Sequence, residues 1–270
     1  MIGNKMIKKQ YQKRFVIFLD LLGFKNTSIG MTCEEILSIL KTFHNEVVRN
    51  NFYDILLHEQ RLDDGSVYLD LNLKDGDLTH GKICGDDFRF SFFSDSAIIS
   101  IDPSQLPTRN NLLTLCKSLQ FQLLLKKILV RGGIAYGELY HEADFAFGPA
   151  LIDAIQVEQN IEIPMIGLHE NSCHDLIKDF GDMLHPITGK DNEQISVVNF
   201  AKDASLHYLS NDYNKIENFL RDEIELTNIK ISNITTQTSG EYEDKQKQRV
   251  LKKLKFLLQF INDNKNYFKK

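Results

Sequence analysis

The chain has 270 residues, 42% of them hydrophobic and 26% charged, with a formal net charge of −5 at pH 7. That is enough apolar material for one large domain or one domain with an appendage. The acidic balance excludes a surface that coats nucleic acid non-specifically, because that needs basic charge to displace counterions.

Residues 14–20, RFVIFLD, form an apolar run rich in Phe, Val and Ile, which predicts a buried strand ending at Asp20. A turn-rich stretch with Gly23 and Gly30 follows. The next segment, TCEEILSILKTFHNEVVRNN, places Ile36, Leu37, Leu40, Phe43, Val47 and Val48 at helical spacing. Thr32 and Glu35 have the form of a capping box at its start. Residues 51–87 are the least legible. VYLDLNL alternates like a strand, LKDGD reads as a hairpin turn, and the excess of Asp and Gly points to a surface excursion.

FRFSFFSDSAIISID alternates strongly, with Arg89, Ser91, Phe93 and Asp95 on one side of an extended chain. Its polar centre predicts two strands joined by a tight turn at Ser94–Ser96. Asn110 or Asn111 can cap a second helix running through LLTLCKSLQFQLLLKKI. LVRGGIAYGELYH is the next strand, with Gly132, Gly133 and Gly137 marking close backbone approach or a bulge. FAFG predicts a short strand and GPALIDAIQVEQN a third helix with Pro149 in its first turn, where the missing N–H is harmless. PMIGLH and ISVVNF read as two further strands. Beyond about residue 203, two amphipathic helices are separated by TTQTSGE. The Lys-rich face from Lys245 to Lys255 reads as a solvated surface opposite an apolar stripe. The pattern predicts an α+β core over residues 1–202 and a helical appendage over residues 203–270.

No segment approaches the ~20 apolar residues that span a bilayer, and the polar N-terminus lacks the apolar region of a secretory signal. Cys33, Cys84, Cys116 and Cys173 form no CxxC, which fits reduced thiols in a cytoplasmic protein and disfavours a zinc site. The histidines show no ligand spacing.

Three stretches carry possible chemistry. FLDLLGF puts a carboxylate, Asp20, at a buried strand end before a glycine turn whose amides could cradle phosphate. FFSDS puts a second carboxylate, Asp95, at a hairpin tip. RGGIAYGELYH with FGPALIDAIQVE supplies Arg131 and a helix start. Carboxylates at the ends of adjacent strands can hold two divalent ions, Mg²⁺ or Mn²⁺, that bridge a nucleoside triphosphate. Each residue also has a plainer use: Asp20 as a turn cap, Asp95 as a hairpin residue, Arg131 in an ordinary ion pair.

The order FxDxxGF, SDS at a strand turn, RxGIxxGE and a G-x-A helix start resembles the class III adenylate/guanylate cyclase catalytic domain. The details FLDLLGF, FSDS, RGGIAYGELYH and FGPALIDA look closest to the bacterial Pycsar cyclases, which make cyclic UMP or cyclic CMP in anti-phage defence. The resemblance covers roughly residues 14–200. It implies a ferredoxin-like βαββαβ core and a homodimer with shared active sites. It assigns Asp20, the Leu21 carbonyl and Asp95 to the metal ions, and Leu22, Gly23, Phe24 and Lys25 to the triphosphate. Arg131 would meet phosphate, and Phe93 could stack on a base. Ser91 stands where purine cyclases carry a base-reading Lys. Pro149 replaces their acidic or polar residue, and Ile152 and Gln156 replace their Asn and Arg. These departures argue for UTP or CTP over a purine, with Arg89, Arg131 or Lys25 left to stabilise charge at the α-phosphate. A cyclic-nucleotide-activated effector would be a separate protein, with neither nucleic acid nor membrane as partner. Two rival readings are a degenerate nucleotide-binding module without turnover and a two-metal nuclease, the latter disfavoured by the acidic charge.

Overall fold

The computed structural model describes residues 10–24, 28–51, 58–61, 67–70, 88–106, 110–142, 145–190, 192–202, 210–234 and 241–265. In chain order the elements are β1 (Gln12–Leu21), α1 (Cys33–Asn51), β2 (His58–Arg61), β3 (Val67–Asp70), β4 (Phe88–Phe93), β5 (Ser96–Ile101) and α2 (Asn110–Leu125). Then come β6 (Val130–Glu142), β7 (Phe145–Phe147), α3 (Pro149–Asn160), β8 (Ile166–Leu168), α4 (His174–Asp179), β9 (Leu184–Thr188) and β10 (Gln194–Val198). The tail is α5 (Ser210–Ile234) and α6 (Glu241–Asp263).

One sheet organises the chain, in the order β4-β5-β1-β6-β8-β10-β9, with β7 paired to β6. Its first four strands, with α1 and α2, form an antiparallel βαββαβ unit of ferredoxin-like order. The predicted α+β class, that core and the helical tail are therefore all present. β6 and β8 run parallel, joined by the α3 crossover. Among the described residues, short β2 and β3 pair only with each other. The predicted LKDGD turn lies outside the described residues.

β1 is buried on both faces, which explains its nearly continuous apolar run. Phe15, Ile17, Leu19 and Leu21 pack with Phe43 and Val47 of α1 and with Leu112, Leu115 and Leu119 of α2. The alternate residues Val16 and Phe18 pack with Ala150, Leu151 and Ala154 of α3 on the opposite face. The α1 capping box forms as read: Thr32 N–H donates to Glu35 Oε2 at 2.7 Å, and Glu35 N–H donates to Thr32 Oγ1 at 3.3 Å.

Close approach decides where α3 lies. A Cβ on Gly133 would stand 2.0 Å from the Ala154 carbonyl oxygen, so only glycine lets helix and strand meet there. Gly148 precedes Pro149 with φ of 145°, a backbone state that side chains rarely adopt. Three elements escape the sequence reading, β2, α4 and β9. Pro186 interrupts the apparent pattern of β9, but β9 is the sheet edge, where a strand proline is tolerated.

The tail helices pack on the core through Tyr213, Ile216, Phe219 and Leu220 of α5 and Leu254, Leu257, Phe260 and Ile261 of α6, against Phe121, Ile161, Met165 and Phe200. Each such side chain, fully buried, contributes roughly 1.5–3 kcal/mol. No helix among the described residues is long and apolar enough to cross a membrane. Cys33, Cys116 and Cys173 form no disulfide. Cys84 lies outside the described residues.

Candidate active site

The register of β1 builds the site. Asp20 pairs with Ser96 of β5 on one side and with Arg131 of β6 on the other. Directly paired residues share a face, so all three side chains stand on the α3 side of the sheet. Ser96 Oγ donates to Asp20 Oδ1 at 3.1 Å. The β4–β5 turn holds Asp95 at the same sheet end, where Leu21 N–H donates to the Asp95 carbonyl at 3.0 Å. Ser94 in that turn has φ of 55°, the left-handed state expected of a tight hairpin.

Asp20 is half-buried. Burial pushes its carboxyl above the ordinary carboxylate value; the Ser96 hydrogen bond opposes this, the Asp95 charge adds to it and Arg131 opposes it. Two carboxylates thus crowd one another at the edge of the core.

Arg131 is held by α3: its guanidinium pairs with Glu158 and donates to the Ile161 carbonyl at 3.1 Å. Glu158 is buried, and burial raises its carboxyl; Arg131 opposes that and Asp20 reinforces it. The sequence reading missed Glu158. Its signal was one acidic residue on the apolar side of a short amphipathic helix, at the spacing of Ala154.

The other expected site residues divide. Leu22 N–H donates to the Leu129 carbonyl at 2.8 Å. That amide therefore serves the backbone, and any amide contribution to phosphate from this turn falls to residues after it. Gly23 has φ of 79°, as a tight turn requires, and Phe24 packs against the core with its carbonyl accepting from Ser28 N–H. Lys25 lies outside the described residues. Phe93 is 81% exposed beside the Asp95 turn. Ser91 Oγ is bonded to His141 Nε2 at 2.8 Å, and Arg89 donates to the His141 carbonyl. Both therefore take part in a polar network around the His141 ring, 1% exposed, whose Nδ1 meets Ser100 Oγ at 2.7 Å. Arg14, fully buried, donates to the same Ser100 hydroxyl at 2.9 Å and to its carbonyl at 3.1 Å. Ile152 and Gln156 face outward from α3, one turn apart, and Ile152 is 57% exposed.

Two carboxylates and a main-chain carbonyl are oxygen donors of the kind hard divalent cations take. A cation beside Asp20 and Asp95 would reverse the penalty that now raises the Asp20 carboxyl. Among the described residues no group of three or more His, Cys, Asp or Glu is placed to hold a metal, so phosphate and water would complete the shell.

No family model matches the sequence, and no curated protein matches it. Among solved structures, the guanylyl cyclase Cya2 superposes with a TM-score of 0.44 at 11% identity, over 70% of this chain and 92% of its own. The adenylyl cyclase CyaB from P. aeruginosa gives 0.44 at 15% identity, over 71% and 96%. The dimeric guanylyl cyclase domain of the RhoGC fusion protein from the aquatic fungus Blastocladiella emersonii gives 0.47 at 13%, over 70% and 95%. These likenesses are too distant to carry any residue's role, which rests on the geometry of this chain.

Proposed function

We propose that the protein is a metal-dependent nucleotidyl cyclase that converts UTP or CTP to its 3′,5′-cyclic monophosphate and pyrophosphate. The observation that carries this reading is the convergence of Asp20 and Asp95 at one end of adjacent strands, with Asp20 raised by burial and by its neighbour's charge. The order of the sequence motifs agrees with it.

Asp20, Asp95 and the Leu21 carbonyl would hold Mg²⁺ or Mn²⁺. When bound, such ions make a hydroxyl more acidic and neutralise charge on phosphate. In the reaction, the ribose 3′-oxygen bonds to the α-phosphorus, the α–β anhydride bond breaks, pyrophosphate leaves and the hydroxyl proton passes to water. Ser96 orients the Asp20 carboxylate for this task. Arg131 meets phosphate by exchanging part of its Glu158 contact. Phe93 offers an exposed ring to the base, and Gly23 and Phe24 border the phosphate chain.

The active unit is a homodimer. Exposed Phe93, Phe145, Phe147 and Ile152 are apolar side chains that a second copy would cover, and Ile152 and Gln156 face outward where a partner's nucleotide would lie. The product signals to a separate effector in anti-phage defence. Ile152 gives the non-catalytic alternative its support, since an apolar side chain there cannot orient a ribose by hydrogen bonding.

The test is incubation of purified dimer with each of the four nucleoside triphosphates and Mn²⁺. A cyclic pyrimidine product, absent from Asp20→Ala, supports the cyclase. Nucleotide binding by calorimetry without any cyclic product assigns the non-catalytic module instead.

A further inference from the structure

Gln120, on α2, is 3% exposed. Its amide nitrogen is fully committed: Nε2 donates to the Pro164 carbonyl at 2.7 Å and to Met165 Sδ at 3.6 Å. Its Oε1 is buried and, among the described residues, has no partner. Turning the amide over would set that oxygen against the Pro164 carbonyl, so the donors fix the orientation and the acceptor goes without. A methionine would fill the same place with no polar atom to satisfy. An orphaned amide oxygen in a core is unfavourable, and persists where the rest of the side chain meets a need.

What Gln120 holds is the segment 161–165, between α3 and β8. That segment supports the candidate site twice. The Ile161 carbonyl accepts from the Arg131 guanidinium at 3.1 Å, and the Met165 carbonyl accepts from the N–H of Gly132, the next residue of β6, at 3.1 Å. Arg131 itself stands opposite Asp20 in the β1–β6 ladder. The side chain and the backbone around Arg131 thus both lean on five residues that precede β8, which begins at Ile166. The Gln120 amide does there what a strand ladder does further on, tying the segment to its neighbour. The tail covers the tie. Ile161 and Met165 pack in one cluster with Leu254, Leu257 and Ile261 of α6. Leu257 and Gln120 line a cavity of about 10 Å³, room for one water at most.

We propose that Gln120 is a positioning residue for Arg131: by clamping Pro164 and Met165 it holds the Ile161 carbonyl where that carbonyl fixes the guanidinium opposite Asp20. This rests on the cyclase reading for what Arg131 meets, though not for the link between the two residues. A guanidinium that must meet phosphate needs its support locked in turn, and α2 supplies that lock from the far side of the segment.

The test reads the Arg131 Nε–H resonance in nitrogen-15 spectra of the full chain, together with KM and kcat for cyclic product. Gln120→Met keeps the volume and removes both donors. It should shift or broaden that resonance and raise KM about tenfold, the scale of a weakened charged hydrogen bond, with a smaller change in kcat. Ser100→Ala, at the Arg14 end of β1, loses a buried hydrogen bond too and should leave both readings as in the parent. Should Gln120→Met not fold, Gln120→Glu serves: its ionised carboxylate cannot donate to the Pro164 carbonyl. The Arg131 resonance should then depart from the parent's, compared at equal pH, as the new carboxyl ionises. A resonance unmoved in the folded variant, or moved equally by Ser100→Ala, overturns the proposal whether or not cyclic product forms. A moved resonance with unchanged KM in an active enzyme overturns it as well. A moved resonance in a protein that turns over no triphosphate upholds the link, and only the cyclase reading falls.

Discussion

Two polar clusters sit on the same face of the sheet, at opposite ends of β1. Arg14 anchors one and Asp20 the other, with Val16 and Phe18 between them against α3. At the Arg14 end, the His141 ring is clasped on both nitrogens by serine hydroxyls, and Ser100 also accepts from Arg14. Among the described residues, the only buried side-chain nitrogen or oxygen without a partner is Gln120 Oε1, so this cluster is satisfied. At the Asp20 end one hydroxyl supports a half-buried carboxylate that has another carboxylate nearby. A closed polar network specifies a fold. Like charges held together at the edge of a core are unfavourable until a cation joins them, and that marks a site.

The largest expected effect follows from that contrast. Asp20→Asn should reduce cyclic-nucleotide formation by about 1,000-fold or more, as loss of a group acting on developing charge does. It should leave thermal stability equal or higher, because it removes a buried charge. Mn²⁺ should raise the melting temperature of the parent and not of the variant. A variant that unfolds instead would move Asp20 into the structural class with Arg14.

His141→Ala should do the reverse. It strips partners from Ser91 and Ser100 in a buried place, and should cost about 2–4 kcal/mol by chemical denaturation. Once folded, the variant should keep its metal response. Loss of metal stabilisation without loss of stability would join the two clusters into one functional unit and break the comparison.

The pH dependence sharpens it further. Burial raises Asp20 in the folded state, so between its unfolded value of 3.8 and its folded value the native protein binds more protons. Stability therefore falls as pH rises through that window, and the full penalty is present above the folded value. Below 3.8 both states are protonated and the penalty vanishes. The stability gained by Asp20→Asn should accordingly grow from about pH 4 to about pH 7, read from denaturation midpoints. A gain that shrinks over this range would mean that the carboxylate is stabilised by its surroundings.

Much of this was legible in the sequence, for physical reasons. β1 showed as an apolar run because both its faces are covered, and α1 showed through Thr32 and Glu35 because a capping box is local chemistry. The glycines of β6 announced close approach, and Gly133 against Ala154 delivers it. Asp20 and Asp95 were visible because each ends or turns a strong strand pattern. The partners were not. Glu158 and His141 are an acid and a histidine in segments whose periodicity describes only the apolar face. Their roles depend on which strand lies opposite, and that is set by sheet order, not by local pattern. Ser91 and Arg89 read as open site residues because they alternate with the phenylalanines. The fold turns them to His141 instead.

The smallest effects discriminate best, because one strand offers a matched pair. Ser96 and Ser100 both lie on β5, on one face, four residues apart, one bonded to Asp20 and the other to His141 and Arg14. Ser100→Ala should cost about 1–2 kcal/mol and leave activity alone, since it removes a buried hydroxyl that serves two donors or acceptors. Ser96→Ala should change stability by less than about 0.5 kcal/mol. Because the Ser96 hydrogen bond lowers Asp20, its loss lets the carboxyl rise further, so protons compete better for it and the acid limb of the activity profile should move to higher pH. Equal behaviour of the two variants would mean that β5 does not separate a structural end from a chemical one, and the carboxylate pair would lose its claim to be different in kind from the histidine network.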